Sequence, residues 1–151
     1  MEYGIRELSG MSDQEKFEAL KKTAIEENEK VYGNEIRRKY GEEAVDASYG
    51  KIRGMSQQEW EDFRQMEQEI LVRLQTAVHQ GLNPEGTDGR QIAELHKQWL
   101  CRTWKQYSAQ AHMGVAEMYT ADERFKGYYD KDVTGCAEWL RSAIRFWAEK
   151  L

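Results

Sequence analysis

The sequence predicts an all-α protein, on three observations. It contains a single proline, Pro84, where several prolines would break helices or mark edge strands. Alternating β-branched runs are almost absent, while Glu, Lys, Gln, Ala, Leu and Arg, all good helix formers, dominate. Apolar residues recur at three- and four-residue spacing, the period of a helix with one buried face.

In chain order, Ser12 with Glu15 three residues on forms a capping box and starts a first helix. That helix is expected to reach about Tyr32 and to stop at Gly33-Asn34. Its apolar stripe is thin: Phe17, Leu20, Ala24 and Val31. A short second helix is read over 35–40 and a third over 42–51, with Gly50 and Gly54 near its end. This charge-rich third of the chain has little with which to stabilise itself. A stronger helix follows, capped by Ser56 with Glu59, carrying Trp60, Phe63, Met66, Ile70, Leu74 and Ala77 and ending at Gly81. Asn83 to Gly89 reads as a loop. A long helix is then expected over 90–106, with Ile92, Leu95, Trp99 and Thr103 on one face. Ser108 caps a helix over 109–119, a short helix covers 122–129, and a last one starts near Thr134 with Trp139, Leu140, Ala143, Ile144 and Trp147. No internal repeat or low-complexity tract is visible.

With 151 residues, 22 basic and 27 acidic side chains and a formal charge of -5, the chain suits one domain and makes a poor sequence-independent binder of DNA. Cys101 and Cys136 have no metal-type spacing, and a reducing cytosol is the simpler setting. No stretch approaches a membrane span and no signal core opens the chain; the expected location is cytoplasmic. A Gly-rich phosphate loop and a Gly-x-Ser-x-Gly turn are both missing. His96 and Cys101, five apart on one helix, fall on different faces, against a dyad. The sequence is read as non-enzymatic.

From about His96 onward, specific residues carry a family likeness: His96, His112, the run Glu117-Met118-Tyr119-Thr120-Ala121-Asp122-Glu123-Arg124-Phe125, Tyr129-Asp130, and a Gly135-centred entry into the last helix. Gln14 to Phe17 and Met55 to Trp60 fit more weakly. On these residues the chain resembles the TipA-S family, the C-terminal drug-sensing domain of MerR-type transcriptional regulators. The resemblance implies a globin-like helical domain that binds antibiotics or other multidrug-type molecules. In a full regulator it would act on an attached winged-helix DNA-binding domain absent from this chain. The chain is read as a tail or linker remnant at 1–10, an N-terminal helical segment at 11–54 and a drug-binding core at 55–151; the charge-dense first helix is a solvated face by default, and a lid that orders over bound ligand is its functional alternative. Founding members capture thiopeptides through cysteine; alignment places Tyr107 and Gly114 at the two family cysteine positions, which argues against covalent capture by that route.

The expected ligand-binding residues are Trp60, Phe63, Met66, Trp99, Thr103, Tyr107, Gln110, Ala111, Gly114, Met118 and Tyr128, with Glu67 as a further polar contact. Tyr107, Ala111, Gly114 and Met118 recur at helical spacing and are read as one face. Gly114 serves equally as room for a flat ligand or as a close-packing point between helices. Aromatic faces suit planar drugs and cations, and Met adapts to varied shapes; ordinary core packing accounts for at least half of these residues. His96 and His112 can converge on adjacent helices as satisfied, partly buried histidines. Zinc would need further ligands, and the likeness to globins is one of fold rather than of haem, so no metal or cofactor is expected. Two other functions stay open: a stand-alone protein that sequesters drugs, and a helical domain whose aromatic groove takes a partner helix.

Overall fold

The computed structural model describes residues 12–151; the expected tail at 1–10 and Met11 lie outside the described residues. Among the described residues seven α-helices follow one another: α1 (Asp13–Tyr40), α2 (Glu42–Arg53), α3 (Gln57–His79), α4 (Thr87–Cys101), α5 (Ala109–Ala121), α6 (Glu123–Asp130) and α7 (Cys136–Trp147), closed by a 3-10 turn over Ala148–Lys150. No strand occurs among the described residues. The chain divides into two compact units, one ending at Trp60 and the other running from Glu61 to Leu151.

In the first unit, Ser12 caps α1 as expected, its Oγ accepting from the Glu15 amide at 3.1 Å. The expected stop at Gly33-Asn34 is overturned. α1 runs through both residues to Tyr40 and ends at Gly41, whose φ of 89° an L side chain rarely adopts. The reason is tertiary. Arg37 lies one turn beyond Gly33 and pairs back to Glu29 at 2.6 Å, and across to Glu42 and Asp46 on α2. A Cβ on Gly33 would sit 2.6 Å from the Glu29 carboxyl carbon. The glycine gives that carboxylate room to reach Arg37 within the helix. The expected 35–40 helix is therefore the last part of α1.

The buried face of α1 is also shifted from the expected stripe. Phe17, Lys21, Ile25 and Gly33 are buried, whereas Leu20 and Val31 face outward. Lys21 is only 2 % exposed. Its ammonium donates to the carbonyl oxygens of Arg53 at 2.6 Å and Met55 at 3.0 Å, groups left without helical partners where α2 ends. It also lies over the Phe17 ring and near the Glu18 carboxylate. A charge-assisted bond to each carbonyl compensates for burying the ammonium. A small core of Ile25, Val45 and Tyr49, backed by Ile36 and Ile52, closes this unit.

Ser56 and Glu59 form the expected capping box at α3: the Glu59 amide donates to Ser56 Oγ and the Ser56 amide to Glu59 Oε1. In the second unit, Gly81 ends α3 with φ 66° while the Leu82 amide returns to the Ala77 carbonyl, a Schellman closure. The loop that follows is held by two indoles of α7. Trp139 Nε1 donates to the Leu82 carbonyl at 2.8 Å and Trp147 Nε1 to that of Pro84 at 3.2 Å. Gly89 lets the loop lie against α4, since a Cβ there would fall 1.6 Å from the Pro84 oxygen. α4 consequently begins at Thr87, earlier than expected, and ends at Cys101 rather than near Gln106. Its end tightens into a turn, with the Thr103 and Trp104 amides both donating to the Leu100 carbonyl. α7 packs against α4 and α5, and Leu74, Leu140, Ile144 and Ala143 are completely enclosed.

Candidate functional site

α4 buries Gly89, Ile92, Ala93, His96 and Leu100 along one stripe, so His96 occupies a position that periodicity assigns to the core. On α5 the buried positions are His112, Val115, Ala116, Met118 and Tyr119. Packing these stripes together places His96 against His112 with neither ring exposed. Their rings are parallel within 4°, with centroids 5.0 Å apart and facing nitrogens, His96 Nδ1 and His112 Nε2, 2.9 Å apart. That combination means an edge-to-edge hydrogen bond, not a face-to-face stack.

The outer nitrogens of the pair are also engaged. His112 Nδ1 meets the Tyr107 hydroxyl at 2.7 Å, and His96 Nε2 meets the Tyr119 hydroxyl at 3.1 Å. Beyond Tyr119 lies the Tyr129 ring, centroid to centroid 4.7 Å. Tyr107, His112, His96 and Tyr119 thus stand in single file through the second unit, with the Tyr129 ring packed beyond them.

The surroundings fix the protonation of the file. Burial, reinforced by the neighbouring His112, pulls His96 well below the usual histidine value. Burial and then the nearby Lys97 ammonium bring His112 down to about 4. Burial raises Tyr107 and, more strongly, Tyr129. Tyr107, His112, His96 and Tyr129 are therefore neutral at pH 7. Lys97 itself sits over the Tyr107 ring, 4.6 Å from its centroid.

Among the expected ligand residues, the structure brings Phe63, Trp99 and Tyr107 into one aromatic run. Phe63 and Trp99 stack at 5.5 Å and 14°, Trp99 leans on His96 at 5.6 Å, and the run continues through His112 to Tyr107. The Trp99 indole N–H is buried and meets no acceptor among the described residues. Tyr128 donates to Glu67 at 2.9 Å and meets Tyr129 edge-on. Met118 is buried, Met66, Thr103, Ala111 and Gly114 are half-buried, and Gln110 is exposed. Trp60 closes the first unit and is half-buried.

Two placements differ from expectation. Tyr107 is not on the α5 face with Ala111 and Gly114, because Ser108 is the N-cap, accepting from the Ala111 amide, and Tyr107 precedes it. Thr103 lies in the turn beyond α4, its hydroxyl aimed at the Leu100 carbonyl. The hydroxyl of Tyr107 nevertheless reaches His112 because the chain folds back at the cap. Sequence reasoning allowed His96 and His112 to converge but left them, with Tyr119 and Tyr129, out of the site. The available signal was a histidine in the apolar stripe of each of two successive helices.

No group of three His, Cys, Asp or Glu suited to a metal occurs among the described residues. Cys101 ends α4 exposed, and Cys136 is buried with its thiol raised to about 11 by burial and then by Asp130. No described helix is long and apolar enough to cross a membrane.

The family model for the TipAS antibiotic-recognition domain matches residues 32–147. The chain belongs to that family. It is 24 % identical over 134 residues to the HTH-type transcriptional activator mta of Bacillus subtilis (strain 168), covering 89 % of this chain and 51 % of that protein. It is 26 % identical over 114 residues to the HTH-type transcriptional activator TipA of Streptomyces coelicolor, covering 75 % of this chain and 45 % of the relative. The chain therefore spans about half the length of the curated relatives it matches. A solved structure of TipAS in complex with nosiheptide, from a thiopeptide antibiotic multidrug resistance system of Streptomyces lividans, superimposes with a TM-score of 0.68 at 25 % identity, covering 81 % of this chain and 86 % of that one. The all-α, globin-like expectation holds.

Proposed function

We propose that this chain is an effector-binding domain for antibiotic or multidrug-type small molecules, and that the aromatic run Phe63–Trp99–Tyr107 belongs to its binding site. The observation that carries the reading is the likeness, over four-fifths of the chain, to a domain solved with nosiheptide in place. The chemistry of the run agrees with it. Stacked aromatic faces suit flat heteroaromatic ligands, and an unmatched indole N–H at Trp99 favours a ligand that offers an acceptor. Met66, Ala111, Gly114, Met118 and Tyr128 complete the proposed lining, with Thr103 and Gln110 at its edges.

Binding is non-covalent in this reading, and no catalytic step is assigned. A phenol stands at position 107 in place of a thiol, and Cys101 is the one exposed cysteine among the described residues. In a longer chain with a MerR-type DNA-binding domain, as the names of the relatives suggest, ligand would bias the DNA-bound dimer through its differential affinity for two states. The lid role of residues 11–54 is part of the same proposal.

The test is a titration with nosiheptide followed by tryptophan fluorescence and thermal denaturation. Quenching with a concentration-dependent rise in Tm is expected, together with slower amide exchange over α1 and α2 and no mass adduct. A flat fluorescence trace and an unchanged Tm at saturating nosiheptide would sink the reading for thiopeptides.

A further inference from the structure

The hydrogen bonds of the buried file are not independent of one another. A neutral imidazole has one N–H and one lone pair, on opposite nitrogens. Suppose Tyr107 donates to His112 Nδ1. Then His112 carries its proton on Nε2 and donates to His96 Nδ1. His96 in turn carries its proton on Nε2 and donates to the Tyr119 oxygen. In the reverse state Tyr119 donates to His96 Nε2, His96 Nδ1–H to His112 Nε2, and His112 Nδ1–H to Tyr107. Each state holds the same number of protons. Any mixture sets two N–H groups, or two lone pairs, face to face in a site without solvent exposure, which leaves buried polar groups unmatched. The file has two polarities and both histidines share one tautomer in each.

At the Tyr107 end the two states look different to a ligand. In the first, the hydroxyl proton is spent inward and the oxygen is left to accept. In the second, the oxygen accepts from His112 and the O–H is left to donate. Tyr107 is half-buried, whereas both histidines and the two tyrosines at the far end are buried. Tyr107 is thus the member of the file placed to meet a ligand.

We infer that the Tyr107–His112–His96–Tyr119 file makes the Tyr107 hydroxyl a polarity-reversible anchor, which takes ligand donors such as amide N–H groups and ligand acceptors such as carbonyls or azole nitrogens alike. A fixed polar group in a binding site rejects ligands of the wrong polarity, because one partner is left unpaired. A reversible one does not, and this suits a site that accepts chemically different drugs. The anchor role rests on the proposed ligand-binding function; the coupling of the two tautomers does not.

The experiment is long-range proton–nitrogen NMR of the imidazoles in the full 15N-labelled chain at pH 7, with exposed His79 as reference. In the wild type, His96 and His112 are expected neutral and protonated on the same named nitrogen. Tyr107→Phe should place both protons on Nε2, because an unmatched lone pair is tolerated better than an unmatched N–H. Tyr119→Phe should place both on Nδ1, and the Tyr107→Phe arm still reads the coupling should Tyr119→Phe not fold. Opposite tautomers in the wild type, an imidazolium at either position, or identical tautomers in the variants of the two ends would overturn the coupling. A second arm measures nosiheptide affinity: Tyr107→Phe should weaken it on the order of tenfold. Equal affinity in wild type and variant overturns the anchor alone. No binding by the wild type removes the thiopeptide site reading and the anchor with it, while matched tautomers still establish the coupled file.

Discussion

The two units of this chain are stabilised by different physics. The first relies on charges: Arg37 gathers Glu29, Glu42 and Asp46 across α1 and α2, and Lys21 holds the end of α2. Its buried apolar side chains among the described residues are Phe17, Ile25, Val45, Tyr49 and Met55, none of them completely enclosed. The second encloses Leu74, Leu140, Ile144, His96, His112 and Cys136 almost completely. Exposed ion pairs contribute little and are screened by salt, whereas apolar burial is insensitive to moderate salt and scales with area. The contrast teaches where each unit is vulnerable.

The largest expected difference is in acid. His96 and His112 are held below the ordinary 6.5, His112 at about 4. The unfolded chain binds protons at both sites before the native one does. Their contribution to the stability of the second unit is fully present above pH 6.5 and is lost as the pH falls towards 4. At about 1.4 kcal/mol per pKa unit, His112 alone accounts for something on the order of 3 kcal/mol, and His96 adds to it. In the first unit the Arg37 guanidinium holds the Glu29 carboxyl below 4.5. That contribution is present above pH 4.5 and lost only below it. Unfolding of the two units followed by hydrogen exchange from pH 7 to 4 should show the second weakening first. Simultaneous weakening would break the comparison.

Next in size are cavities. Leu140→Ala, at a side chain with no exposure, should cost about 2–5 kcal/mol in urea denaturation, while Ile25→Ala in the small core should fall at or below the low end of that range. Equal losses would mean the first core is better packed than its size suggests. Trp147→Phe keeps the aromatic bulk and leaves the Pro84 carbonyl without its indole donor; a loss of about 1 kcal/mol is expected, again confined to the second unit. The smallest effect separates the units by salt: raising NaCl to 1 M should increase exchange in the first unit of the wild type and have little effect in an Arg37→Gln variant, with the second unit unchanged in both.

Much of this division was legible from local chemistry. The caps at Ser12, Ser56 and Ser108, the glycine stop at Gly81 and the apolar face of α7 are all short-range signals, and each sits where expected. The errors share a cause. Gly33 looks like a stop because glycine is a weak helix former, but the Glu29–Arg37 pair across it and the Arg37 pairs to Glu42 and Asp46 hold the helix in place, and helix propensity does not register such ion pairs. Helix α4 ends short of the expected boundary because Thr103 and Trp104 return onto Leu100, a turn that no proline or glycine announces. The site was legible in kind, as aromatic residues of α3 and α4 together with Tyr107. Its wiring was not, because the link from His96 to His112 spans 16 residues and depends on how two helices face each other.

The enclosed ammonium of Lys21 carries a practical consequence. Acylating reagents need a deprotonated, accessible amine, and this one is engaged with two carbonyl oxygens at 2 % exposure. Exposed lysines such as Lys22 and Lys30 should label within minutes, while Lys21 waits for the first unit to open. Peptide-resolved labelling of that single position then works as a clock for transient opening near the amino end, readable in a crude mixture without spectroscopy.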